Sequence, residues 1–158
     1  MIPFCINLAL ALVWLLLGEP ATSDRFFVGF ALGFLIVRQG ERVFPGSGYT
    51  RRTLAGLRFF LWFAKALVLA NHAMAIAILS RSRRRMRPVV VDYPVDELSR
   101  GEILILSHCI TLTPGTLTVE VALDDSLLRI HVFDGDNVDD VLNDIRTGLE
   151  KPILAFTR

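Results

Sequence analysis

Arg81-Ser82-Arg83-Arg84-Arg85-Met86-Arg87 separates two kinds of sequence. Up to Arg87 there are twelve basic residues against three acidic ones, Glu19, Asp24 and Glu41, and long apolar runs dominate. From Pro88 to Arg158 the balance inverts to five basic against thirteen acidic residues, and the apolar residues alternate and turn as in a water-soluble domain. The overall net charge of +1 conceals this asymmetry, while 53% hydrophobic residues and a mean hydropathy of +0.49 reveal the membrane character of the whole. A basic block after apolar runs belongs beside an anionic cytoplasmic leaflet, where each Lys or Arg adds roughly 1 kcal/mol of attraction. The reading is a membrane domain over residues 1–87 and a cytoplasmic α+β domain over 88–158.

The first half holds three apolar runs. Ile2 to Leu17 and Phe26 to Val37 are joined by Gly18-Glu19-Pro20-Ala21-Thr22-Ser23-Asp24-Arg25, a polar turn with residues that stop one helix and cap the next. They predict a short helical hairpin, and Gly29 and Gly33 form a GxxxG pattern that permits close helix approach. No basic segment precedes Ile2, so the first run reads as a retained membrane helix rather than a cleaved leader. The third run, Leu54 to Leu79, carries Arg58, Lys65 and His72 at seven-residue intervals, hence on one stripe, with Asn71 beside them. Both flanks are basic, which a straight crossing cannot reconcile with positive-inside placement. The reading favoured is an amphipathic or tilted helix along the cytoplasmic interface; the alternative is a true third span whose stripe faces a partner protein.

In the second half, Pro88 to Asp92 is a β-branched strand, and Ser99 with Glu102 three residues on forms a capping box before the apolar run ending at Leu112. Thr116 to Leu123 alternates, Asp124-Asp125-Ser126 turns, and Leu127 to Phe133 returns. Val138, Val141, Leu142, Ile145 and Leu149 fall at helical spacing behind Asn137, and Lys151-Pro152 leads to an expected last strand, Ile153 to Phe156. That order, βαββαβ, predicts a ferredoxin-like plait.

Thr111-Leu112-Thr113-Pro114-Gly115-Thr116 stands out. Pro114 and Gly115 make a turn, but a turn does not require three threonines. With Ser107-His108-Cys109-Ile110 before it and Arg129-Ile130-His131-Val132 after it, the segment resembles the MrpE (MnhE/PhaE) subunit family of the multisubunit Mrp-type cation/proton antiporters, and the likeness covers nearly the whole chain. The resemblance implies a small accessory subunit of a bacterial plasma-membrane complex that exchanges Na+ or K+ for H+. It also implies a multi-pass protein with a cytoplasmic C-terminal domain, whose partners are the other subunits. Thr111, Thr113, Pro114, Gly115 and Thr116 carry over as the family's motif; Arg58, Lys65, Asn71 and His72 acquire no family role and stand as a polar membrane stripe on chemistry alone.

Other classes find little in the sequence. There is no Walker or GxGxxG loop, no nucleic-acid-binding motif, and no Cys/His cluster at metal spacing; Cys5 and Cys109 read as reduced, buried thiols. His108 and His131 are isolated, and Asp134, Asp136, Asp139, Asp140 and Asp144 read as the hydrated start of a helix rather than a cation site. No enzymatic activity, cofactor or metal is expected, and the partners are protein subunits and membrane lipid. Two further readings stay open: a membrane-anchored adaptor, and a subunit of a hydrogenase-type complex that carries an antiporter module.

Overall fold

The computed structural model describes residues 2–43, 48–79, 88–133 and 138–158. The arginine cluster, Asp134, Asp136 and Asn137 lie outside the described residues. The chain forms two compact units, residues 1–54 and 55–158.

In the first unit, α1 (Ile2–Leu16) and α2 (Ser23–Val43) make the expected hairpin. The second helix is longer than its apolar run because Arg38 to Arg42 continue it, giving 21 residues. The GxxxG face meets α1: a Cβ on Gly29 would lie 2.8 Å from Cβ of Trp14, and one on Gly33 would run into the Asn7 side chain and reach within 3.2 Å of Leu10. Asn7 is fully buried there and donates from Nδ2 to the Tyr49 hydroxyl at 3.0 Å, with the Phe4 and Phe34 rings beside that of Tyr49. The Glu41 carboxylate accepts the Thr50 N–H at 3.2 and 3.3 Å, a charge favourably placed at a helix start. Cys5 is exposed, against expectation, because it lies on the face of α1 turned away from α2; Cys109 is buried.

The third helix, α3 (Tyr49–Leu79), begins in the first unit and continues in the second. Its segment Tyr49–Ile76 is long and apolar enough to cross a membrane, with a mean hydropathy of 1.6 in an 18-residue stretch within it. The second unit continues with β1 (Val89–Pro94), α4 (Arg100–Leu112), β2 (Thr116–Val121), β3 (Leu127–Val132), α5 (Val138–Asp144), a π-helical segment (Ile145–Glu150) and α6 (Lys151–Thr157). The three strands form one antiparallel sheet in the order β1-β3-β2. The Asp124 turn is as expected, with Asp125 at φ 56° and the Ser126 N–H and hydroxyl both donating to Asp124 Oδ1. In the central strand Arg129 reaches both neighbours, pairing with Asp92 at 2.9 Å and Glu120 at 3.0 Å.

The expected fourth strand is absent: Ile153 to Phe156 is helical, so the full βαββαβ plait is not formed. The reason lies in spacing. Ile145, Leu149 and Ile153 recur every four residues, and all three are buried in the core with Leu106, Ile110 and Leu128. Their stripe carries the helix straight through Pro152. In a regular α-helix that proline would deny the Gly148 carbonyl its donor and crowd it with the ring. The chain relieves this with a wider π turn, in which the Lys151 N–H donates to the Arg146 carbonyl, five residues back.

Helix α6 is fastened to α4 by Glu102. That carboxylate is 4% exposed and completes the expected capping box, accepting the Ser99 N–H at 2.7 Å while Ser99 Oγ accepts the Glu102 N–H. It also accepts the Thr157 hydroxyl at 2.6 Å and the Arg158 guanidinium at 3.1 and 3.2 Å. Nearby, the buried Tyr93 donates its hydroxyl to Glu150; burial first, then that carboxylate, pushes the Tyr93 proton's dissociation well above its ordinary range.

The Arg158 guanidinium, with the Thr157 and Ser99 donors, holds the Glu102 carboxyl down to about 2 from an ordinary 4.5. A folded-state value below the unfolded one gives stability that is complete above 4.5 and lost as pH falls toward 2. Glu102→Gln should therefore lower stability at pH 7 by roughly 1–3 kcal/mol. It should also flatten the acid limb of melting temperature against pH, measured on the full chain in detergent; an unchanged acid limb would remove Glu102 from this role.

Candidate functional site

Helix α4 ends among apolar side chains, where its last carbonyls need donors. The motif supplies them. The Thr113 N–H donates to the Cys109 and Ile110 carbonyls, each at 3.2 Å, and its hydroxyl donates again to Cys109 at 2.9 Å. The Thr116 hydroxyl donates to the Ile110 carbonyl at 2.7 Å. Between them the Thr116 N–H closes a turn on the Thr113 carbonyl at 3.2 Å, with Pro114 fixing φ and Gly115 at φ +96°, the positive-φ position of a type II turn. The Thr111 hydroxyl accepts the Thr118 N–H at 3.3 Å, and the Thr118 hydroxyl donates to the Ser107 carbonyl at 3.2 Å. All three motif threonines are thus accounted for, and Thr118 joins them.

This arrangement inverts the usual pattern in β2. Thr116 and Thr118 turn toward α4, while Leu117, Val119 and Val121 face outward and are exposed. A register irregularity between Thr118 and Glu120 marks the same strand.

The corner forms one wall of a cavity of about 430 Å3. Thr113, Pro114, Gly115 and Thr116 face Trp62, Ala66, Ala70 and Met74 of α3, and α5 with the π-helical segment closes the other side through Val141, Ile145 and Leu149. Helix α3 lies close along this layer. A Cβ on Gly56 would sit 3.6 Å from Phe156, one on Gly148 3.4 Å from Trp62, and one on Gly115 3.4 Å from the Met74 methyl. The Phe59 ring stacks on Phe63 and tilts against Phe156 at 5.6 Å.

The other sequence candidates lie apart from this corner. Arg58, Lys65 and His72 are exposed on α3, about a third of a turn from its packed face. Asn71, next to His72, is also exposed and donates to the Leu67 carbonyl of its own helix at 2.8 Å. His108 bonds through Nδ1 to the Leu104 carbonyl at 2.7 Å, an intrahelical contact on the surface. His131 lies in β3 beside Gly115 and Met74. Asp139 and Asp140 occupy the first turn of α5, and Asp144 is exposed at the cavity. Among the described residues no group of His, Cys, Asp and Glu is arranged to hold a metal. Desolvation raises the Cys109 thiol, which leaves it an inert core group.

A family model described as Na+/H+ ion antiporter subunit matches residues 7–156. The chain belongs to that family. It is 31% identical over 153 residues to the E subunit of the Na(+)/H(+) antiporter of Bacillus subtilis, covering 97% of this chain and 96% of that protein. It is 30% identical over 152 residues to the E1 subunit of the Staphylococcus epidermidis antiporter, covering 96% and 95%. The corresponding E subunit of Alkalihalophilus pseudofirmus is 29% identical over 153 residues, covering 97% and 96%. Among solved structures, a chain of the membrane-bound sulfane sulfur reductase, an archaeal respiratory membrane complex, shares the fold with a TM-score of 0.51 and 22% identity, over 85% of this chain and 84% of that one.

Within this antiporter-subunit family chain, the residues that sequence reasoning missed are those meeting the motif: Ser107, Thr118, Trp62, Ala66, Ala70 and Met74. The helical spacing of Trp62, Ala66, Ala70 and Met74, every four residues, was the available signal for the α3 face. Gly115 is sensitive to change because a side chain there is strained by the positive φ of its backbone. Gly115→Val should cost roughly 1–3 kcal/mol, whereas Gly101→Ala, with open space around it in α4, should be neutral or slightly stabilising. Melting temperatures of the two variants check this; equal values would show that the corner carries no strain.

Proposed function

We propose that the chain is the E-type accessory subunit of a multisubunit antiporter exchanging Na+ or K+ for H+, acting in assembly and coupling and with no chemistry of its own. Its membership of the antiporter-subunit family supports the complex and the partner subunits. The single observation that carries the accessory role is the corner itself: its threonine hydroxyls are spent on internal hydrogen bonds, which makes it a device for holding β2 to α4 rather than for handling an ion.

The setting we propose is a bacterial plasma membrane, with residues 1–87 as the membrane portion, the arginine cluster on the cytoplasmic side and 88–158 as the cytoplasmic domain. The close run of α3 beside the α/β layer supports an interfacial course for that helix. A layer with a net charge of −8 belongs in water, and a helix packed along it from Gly56 to Met74 lies at the surface with it. Leu57, Leu61 and Val68 then point away from the layer into the bilayer, with Arg58, Lys65 and His72 flanking them to snorkel toward headgroups. The exposed apolar face of β2 is available to another subunit.

Cation/proton exchange in membrane vesicles, with native gels to score assembly, tests this reading. Thr113→Tyr should reduce exchange and assembly together, Asp125→Ala should leave both near wild type, and the purified chain alone in liposomes should move no protons above empty vesicles. Exchange by the chain alone, or wild-type exchange by Thr113→Tyr, would refute the accessory role.

A further inference from the structure

The cavity between α3 and the Thr113–Thr116 corner has no use in holding the fold, and its walls specify what it accepts. Its volume, about 430 Å3, lies within the range of sites for small ligands. Its lining is mostly apolar, and the Thr113 and Thr116 hydroxyls on it already donate to the Cys109 and Ile110 carbonyls. A polypeptide backbone entering this space would bring N–H and C=O groups with no partner to receive them. Asp144, the charged group on the lining, is exposed and therefore hydrated.

Beside the cavity, α3 carries the complement of a headgroup. Trp62, which lines the cavity and is 48% exposed, has Arg58 four residues before it and Lys65 three residues after it, so the three are neighbours on the helix surface. Two cations flanking an indole at the edge of an apolar space match the boundary between lipid phosphate and lipid tail.

We propose that this is a binding site for one anionic glycerophospholipid of the surrounding bilayer, its phosphate held by Arg58 and Lys65 and one acyl chain passing Trp62 into the cavity, against the motif corner. The site rests on the interfacial course of α3 proposed above. It gives the corner a second role, as the wall a tail abuts, and Asp144 turns an anionic headgroup toward the Arg58 and Lys65 side.

The test uses the full chain, alone and in its assembled complex, in nanodiscs containing phosphatidylglycerol with a diazirine near the tail end, and maps the crosslinks by mass spectrometry. Labels are expected on Val132, Val141 and Leu149, which belong to the α/β layer, as well as on Leu57 and Val68 of the bilayer face. Lys65→Gln should lower the layer labels about fivefold, the change in occupancy that one surface charge near an anionic headgroup produces. Phosphatidylcholine bearing the same probe should label the layer as weakly. Ala70→Phe, or the milder Ala66→Leu where the first does not assemble, should remove the layer labels and leave those on Leu57 and Val68.

Labels on the bilayer face alone would overturn the site while leaving the interfacial reading intact; absence from both would overturn the two together. Layer labels that survive both cavity-filling variants, that are equal for the two headgroups, or that vanish in the assembled complex would also overturn it, the last assigning the cavity to a partner's side chains.

Discussion

A helix that ends among apolar side chains must find donors for its last carbonyls, and in the α/β unit this requirement at Cys109 and Ile110 governs the course of the chain beyond them. Thr113 and Thr116 meet it from a turn whose direction Pro114 and Gly115 fix. Because those donors come from the chain's own next residues, β2 leaves α4 at a set angle, and Thr118 fastens it there through the Ser107 carbonyl. Strand β3 then pairs with β2, the Phe133 N–H reaches back to the Gly115 carbonyl at 2.8 Å, and β1 adds to the far side. The sheet inherits its placement from a helix terminus.

A second layer of dependence runs through α3. Its face of Phe59, Phe63, Ala66 and Ala70 packs through side chains toward α5, the π-helical segment and α6. Two glycines lie on this contact at ordinary van der Waals spacing, Gly56 under Phe156 and Gly148 under Trp62. The hairpin of the first unit is tighter, and there Gly29 and Gly33 admit Trp14 and the buried Asn7. In that hairpin apolar helices are brought together by the absence of side chains at two positions.

Much of this was legible in the residues. The Ser99 and Glu102 capping box, the Asp124 turn, the helical hairpin and the corner at Pro114 follow from local chemistry, and local chemistry is what a sequence displays most directly. The last element was misread because Lys151-Pro152 looks like a stop, and the four-residue spacing of Ile145, Leu149 and Ile153 that outweighs it becomes decisive only once a core is there to receive it. The inward turn of Thr116 and Thr118 was likewise hidden, since alternation alone gives two faces without saying which one is buried. The threonines of the corner were visible as an excess over what a turn needs, but their partners Cys109, Ile110 and Ser107 contribute carbonyls, which every residue has. The cavity wall on α3 is written in alanines and a methionine, residues that signal little by themselves.

Exchanging the expected fourth strand for a helix has a consequence for how the sheet meets its surroundings. Among the described residues β1 pairs only with β3, so one row of its amides and carbonyls is open, the geometry that invites a foreign strand to add itself. The chain blunts that invitation by economical means. The strand is six residues long, it runs into Pro94, and it carries Asp92, whose charge is tethered across the sheet to Arg129. A protein expressed without its neighbours is thereby guarded against self-stacking along that border, even though the fold has given up the strand that would have sealed it.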